Sequence, residues 1–208
     1  PGRTAEQIPI EPEARSAQFL LLTTSSEVSA TLQGPDGLRH PLQPIPPMSV
    51  DILGSAFALG YGLSDPNPGE WTVEMEGPVR AAYLLWVTLD SSLRVELEGL
   101  PDTPIPVGQT VRLAARAQVK TDPVPVSQLR LQTGASPSTT RAHRTVVRDG
   151  ASLSHAFESE GLYNISITVI GQTMGRAPFE RTFIRSLAVL PAEKLGNPLA
   201  VLTMLSGR

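Results

Sequence analysis

Val111-Arg112-Leu113-Ala114-Ala115-Arg116-Ala117-Gln118-Val119 alternates apolar with mostly polar or small side chains for nine residues. A period of two is the mark of a strand with one face in a core and one in water. The same alternation recurs along the chain. Val28, Ala30 and Leu32 are interleaved with Ser29, Thr31 and Gln33. Trp71, Val73 and Met75 alternate with Thr72, Glu74 and Glu76, and Leu93, Val95 and Leu97 with Arg94, Glu96 and Glu98. Tyr163, Ile165, Ile167 and Val169 alternate with Asn164, Ser166 and Thr168. Between these runs stand Pro35-Asp36-Gly37, Asp65-Pro66-Asn67-Pro68-Gly69 and Asp149-Gly150, which preset or tolerate the dihedrals of turns. Short strands at this spacing predict an all-β chain of two tandem antiparallel β-sandwich domains, the second immunoglobulin-like.

Pro101, Pro104 and Pro106 remove three backbone donors within six residues, so no central strand passes there. The expected division is therefore an N-terminal β-sandwich over 8–100, an Ig-like sandwich over 103–190, and a tail or extra strand over 191–208. Residues 81–89 are apolar on both faces, with Tyr83, Leu85 and Val87 against Leu84 and Trp86. That pattern predicts a central strand or an inter-domain contact. The best helical candidate is 11–18, weakened by Pro12. Tyr163, opening a late strand after Gly161, is expected to turn its hydroxyl back onto backbone at a sandwich corner.

Composition narrows the chemistry. The 208 residues hold no cysteine, which excludes disulfides, thiolate zinc sites and cysteine nucleophiles. The net charge of −3 argues against a nucleic-acid binder. Residues 1–100 carry five Arg and thirteen acids, net −8, whereas 101–208 carry ten Arg, two Lys and seven acids, net +5. The halves are expected to attract each other or to present different surfaces. The chain opens Pro1-Gly2-Arg3 and reads as an excised fragment without a leader. The apolar run from Leu199 to Leu205 is too short to span a bilayer, so no membrane insertion by this fragment is expected.

No catalytic set emerges. His40, His143 and His155 have no metal-binding spacing and read as surface or rim histidines. There is no G-x-S-x-G elbow and no phosphate loop, and Gly60-Tyr61-Gly62 lacks the third glycine of a dinucleotide site. The pairs Glu74/Glu76 and Glu96/Glu98 could serve glycoside hydrolysis only if they met in a cleft, and on alternating strands they read as wet faces. Asp65, Asn67 and Glu70 are weak candidate calcium ligands in a loop already explained as a turn. No cofactor is otherwise expected. Lys120 and Lys194 are poorly placed for an isopeptide crosslink, and Asn164-Ile165-Ser166 is a formal glycosylation sequon. The basic stretch Arg141, His143, Arg144 and Arg148 is the candidate interaction surface, suited to carboxylates.

Several landmarks in order resemble the region that follows a von Willebrand factor A domain in hemicentin-like extracellular proteins. They are Ile8-Pro9-Ile10-Glu11-Pro12 followed by Phe19-Leu20-Leu21-Leu22, and Ser29 to Gly37 with its Pro35-Asp36-Gly37 turn. Asn67-Pro68-Gly69-Glu70-Trp71-Thr72-Val73 and Gly175 to Ser186, with Phe179 and Arg181, complete the set. The adhesion motif D-x-S-x-S of such proteins belongs to the A domain and is absent, so no metal site carries over. The resemblance implies a non-catalytic structural or interaction module of a secreted or cell-surface adhesion protein, with a protein or a neighbouring domain as partner. Fifteen Arg against two Lys suit a bacterial relative from a GC-rich genome. The alternative is a carbohydrate-binding module, which needs Trp71, Trp86 and Tyr83 on an exposed face; their apolar strand positions point instead to a core.

Overall fold

The computed structural model describes residues 2–46, 57–136 and 144–195. Strands dominate, and the described residues contain no α-helix. The chain divides into two compact units, Pro1–Leu93 with Thr173–Phe179, and Arg94–Gln172 with Glu180–Arg208.

The first unit contains β1 (Gly2–Ile10), β2 (Ala14–Thr23), β3 (Ser29–Gln33), β4 (Arg39–Pro41), β5 (Gln43–Ile45), β6 (Phe57–Ser64), β7 (Gly69–Gly77) and β8 (Tyr83–Ser91). One sheet runs β1-β7-β3-β4 and the other β5-β6-β2-β8. Their apolar faces share one core: Ile10, Ala30, Leu32, Trp71, Val73 and Met75 from the first sheet meet Ala17, Phe19 and Leu21 from the second. Each buried leucine there contributes about 2 kcal/mol, so the alternation of β3 and β7 fixes which face turns inward. Residues 11–18 are not helical. Pro12 sits in a turn closed by the Ala14 N–H donating to the Glu11 carbonyl at 3.1 Å, and β2 follows. The four-residue apolar run from Phe19 to Leu22 finds partners on both sides, β6 and β8, which hydrogen-bond its backbone as a helix otherwise would.

The second unit holds β9 (Leu93–Glu98), β10 (Ile105–Pro106), β11 (Thr110–Val119), β12 (Asp122–Val124), β13 (Val126–Ser136), β14 (Arg144–Asp149), β15 (Ser152–Ala156), β16 (Gly161–Gln172) and β17 (Pro178–Leu190). Five strands are ordered β10-β17-β16-β13-β14, and a second sheet runs β12-β11-β15 with β9 also paired to β11. Val111, Leu113, Ala115 and Ala117 are buried on the shorter sheet, as are Leu129, Leu131, Ile165, Ile167 and Val169 on the larger. Both units are therefore of β-sandwich type. The strand Leu93–Glu98 belongs with β11 and its unit, because a strand goes with the partner that satisfies its backbone, and the prolines from Pro101 onward mark a bend within the unit. Pro106 sits on an edge strand, where its missing donor costs nothing.

The sandwich corner forms as the sequence suggests. The Tyr163 hydroxyl donates to the Ser159 carbonyl at 3.0 Å. Its ring meets Phe157 edge-on at 5.0 Å, and Phe157 meets His155 at 4.8 Å. His155 is buried, not on the rim, because its strand position faces inward with Leu153. Tyr163→Phe keeps the ring and deletes the bond, so urea denaturation should show a loss of about 1 kcal/mol. The tail opens with a 3-10 turn at Ala192–Lys194, where Lys194 pairs with Glu160 at 3.3 Å.

Candidate functional site

The residues that stand out lie on the outer face of the β5-β6-β2-β8 sheet. Register places Leu84, Leu22, Ala58 and Ile45 in one cross-strand row. The next row is Trp86, Leu20, Gly60 and Gln43, and the third is Thr88, Gln18 and Gly62. Alternation sends Val87, Phe19 and Tyr61 to the opposite face, into the core. Gly60 makes room for Ile45: a Cβ there would stand 2.5 Å from the Ile45 Cδ1. Leu22 is sheltered in the middle of its row at 7% exposure, while Leu84 is 41% and Trp86 51% exposed.

β8 is an edge strand among the described residues, so of the two readings of its apolar faces the central strand is excluded. Trp86 is accordingly exposed rather than core, whereas Trp71 is 3% exposed. Tyr83 points to the other side of β8, where its hydroxyl donates to Glu6 Oε1 at 2.8 Å. The three aromatics thus do not share one platform. That hydrogen bond, then burial, then the Glu6 charge hold the Tyr83 phenol above its ordinary value. A raised folded-state value stabilises the fold below the unfolded value, and the contribution disappears as pH rises through the folded one. Tyr83→Phe should therefore flatten the alkaline end of the stability profile, read as melting temperature above about pH 10.

The other sequence candidates are dispersed. Glu74 pairs with Arg39, Glu76 with Arg3 at 3.5 Å, and Glu98 with Arg116 at 3.4 Å, all partly exposed. Glu96 is exposed on the same side of β9 as Glu98. Glu74 and Glu76 lie on β7 in the first unit, and Glu96 and Glu98 on β9 in the second. Arg3, Ser29, Thr31, Arg39, Glu74 and Glu76 line a shallow polar hollow.

In the proline-rich loop, the Asn67 amide donates to Asp36 at 2.8 Å and Glu70 accepts from Gln7 at 2.9 Å. Asp65 takes a left-handed φ of 47°, with its N–H on the Arg15 carbonyl. The loop also anchors the core, since the Trp71 indole donates to the Asn67 carbonyl at 2.8 Å. Among the described residues no three His, Asp or Glu group to hold a metal. His40 Nδ1 and the Tyr61 hydroxyl share a hydrogen bond of 3.0 Å that ties β4 to β6 across the sandwich.

Of the basic stretch, Arg144 and Arg148 lie on β14 and Arg148 is exposed. Arg141 and His143 lie outside the described residues. Asn164 is exposed on β16, its Oδ1 accepting from the Ser186 hydroxyl at 3.2 Å. No helix of the described residues is long and apolar enough to cross a membrane.

No protein-family model matches the chain, and no curated protein is similar to it. Among solved structures it is similar to the Bacillus licheniformis lipase BlEst2 in its propeptide form. The TM-score is 0.63 at 16% identity, over 92% of this chain and 40% of that one. A DUF4785 family protein of Legionella pneumophila matches with a TM-score of 0.49 at 9% identity, over 90% of this chain and 61% of that one. The chain spans less than two thirds of the length of either. At such identity the likeness to the lipase structure is one of fold.

Proposed function

We propose that this chain is a non-catalytic interaction module of a secreted or cell-surface adhesion-type protein, set beside a von Willebrand factor A domain, with an immunoglobulin-like second unit. The observation that carries the reading is Trp86, 51% exposed between Leu84 on its own strand and Leu20 across the ladder. Water-exposed tryptophan with leucine neighbours is disfavoured on a surface that stays wet, and tryptophan is enriched where partners dock. Ion pairs occupy the exposed faces of β7 and β11. The partner is a neighbouring domain of the same polypeptide or a separate protein.

The test is direct. The domains encoded on either side of this segment are expressed separately and titrated calorimetrically with the chain. Binding weakened at least tenfold by Trp86→Lys supports the reading, and no binding to either neighbour overturns it. A hydrolase as neighbour would move the context from adhesion to an accessory role beside an enzyme.

A second reading, a carbohydrate-binding module, draws on the same Trp86, because sugar rings stack on exposed indoles and Gln18, Thr88 and Gln43 flank it. Trp71 in the core and Tyr83 on the far side of β8 leave a single stacking ring. Quenching of Trp86 fluorescence by soluble glycans would favour this alternative over a protein partner.

A further inference from the structure

We infer that the free edge of β8 accepts an extended polypeptide strand, apolar at alternate positions and carrying Lys or Arg at its N-terminal end. This rests on the reading of the chain as an interaction module and names the partner's form. Edge strands are normally guarded by shortness, proline or charge. Among the described residues the other edges follow that rule, β15 by its length alone. β4, β5, β10 and β12 have two or three residues, and each contains a proline: Pro41, Pro44, Pro106 and Pro123. β1 carries Arg3, Glu6 and Pro9, β9 carries Arg94, Glu96 and Glu98, and β14 carries Arg144, Arg148 and Asp149. β15 has five residues, two of them serine. β8 has nine residues, with neither proline nor charge from Tyr83 to Leu89, and its register with β2 is unbroken over that span.

Which backbone groups are free follows from the ladder. The Thr24 N–H donates to the Ala82 carbonyl at 3.1 Å. Antiparallel pairs alternate between bonded and unbonded, so Leu84, Trp86 and Thr88 bond β2. Leu85, Val87 and Leu89 then turn their N–H and C=O groups to the other edge, where no strand pairs with β8 among the described residues. Their side chains are only half-buried against the core, and an added strand would complete their cover.

Charge selects the occupant. The described residues of the first unit through Leu93 hold four Arg against ten Asp and Glu, net −6. Asp90 is the one charge on β8, near its C-terminal end. An antiparallel partner brings its N-terminal end there, where a cation is favoured. A second copy would bring the same acidic excess and be repelled. Main-chain bonds would supply affinity, and the exposed side chains of Leu84 and Trp86 would select the apolar neighbours laid beside them.

The probe is a synthetic peptide of two lysines followed by alternating threonine and valine, added to the whole chain. Amide exchange followed by NMR should slow at least tenfold at Leu85, Val87 and Leu89. Affinity should fall at least tenfold in Val87→Pro, which removes an edge donor and leaves the β2 ladder bonded. Near-UV circular dichroism checks that variant's fold, and the exchange result on the unaltered chain stands without it. Absence of binding, or binding with unchanged exchange at those three amides, overturns the inference. Loss of peptide binding in Trp86→Lys but not in Val87→Pro also overturns it, while leaving the interaction-module reading in place. A dimer that Val87→Pro dissociates would make the occupant a second copy and refute the cationic strand.

Discussion

Gly99→Ala should destabilise the second unit by about 3–5 kcal/mol, at the upper end for a single substitution. Gly99 ends β9 with φ at +90°, a region that L side chains avoid at a cost of about 1–2 kcal/mol. Steric overlap costs more than the dihedral. A Cβ at Gly99 would stand 1.9 Å from the Arg112 carbonyl oxygen and 3.1 Å from its carbon. These are backbone atoms of β11, a strand paired with β9, β12 and β15. It cannot retreat without breaking a ladder, so β9 must move and give up its pairing. The Arg116–Glu98 ion pair would go with it, at little cost because both groups are exposed. The check is a urea titration in which the midpoint falls and the slope stays constant. A loss under about 1 kcal/mol would mean that β9 is not held against β11 as described.

Trp71→Ala should cost a similar amount, about 3–5 kcal/mol, in the first unit. The indole is 3% exposed, lies 6.4 Å centroid to centroid from both Phe19 and His40, and donates to the Asn67 carbonyl. Truncation opens a cavity at the centre of the sandwich and frees the proline-rich loop at once. Trp71→Phe retains most of the volume and loses only the donor, and should cost about 1–2 kcal/mol. The experiment has a second readout. In Trp71→Ala the remaining fluorophore is Trp86, half in water, so native emission should shift to longer wavelength. Unshifted emission would place Trp86 in an apolar setting and remove the ground for treating it as a docking residue.

The strands with strict alternation are legible residue by residue. Trp71, Val73 and Met75 face the core as their spacing implies, and Glu74 and Glu76 face water. Val111 to Ala117 behave likewise; Ile165, Ile167 and Val169 also face the core, but Thr168 between them is buried rather than wet. Such segments carry their own orientation, because a slip of one residue would exchange faces. Strand order is not encoded in that way. β8 reads as a central strand or an inter-domain contact because both faces are apolar, yet it lies at the end of its sheet, and only the pairing with β2 reveals this. The exposure of Trp86 is hidden for the same reason. His155 reads as a rim residue because its strand neighbours Ser154 and Ala156 hide that it shares a face with the buried Leu153. Residues 11–18 lack a strand signal because the start of β2 is irregular, with a register shift between Ala14 and Ser16. Finding the least guarded edge among four sheets needs the whole topology, so the free edge of β8 is invisible to periodicity.

The pairing of β1 with β7 along their full lengths has a consequence in time. Gly2–Ile10 is synthesised well before its partner Gly69–Gly77, which follows only after some sixty further residues have been made. At about 5–20 residues per second that is a wait of several seconds. During it Phe19 to Leu22 also stand uncovered, since β8 is synthesised later still. The nascent first unit is thus sticky before it is folded, and a trigger-factor-like holdase should raise its soluble yield more than an accelerated translation rate would.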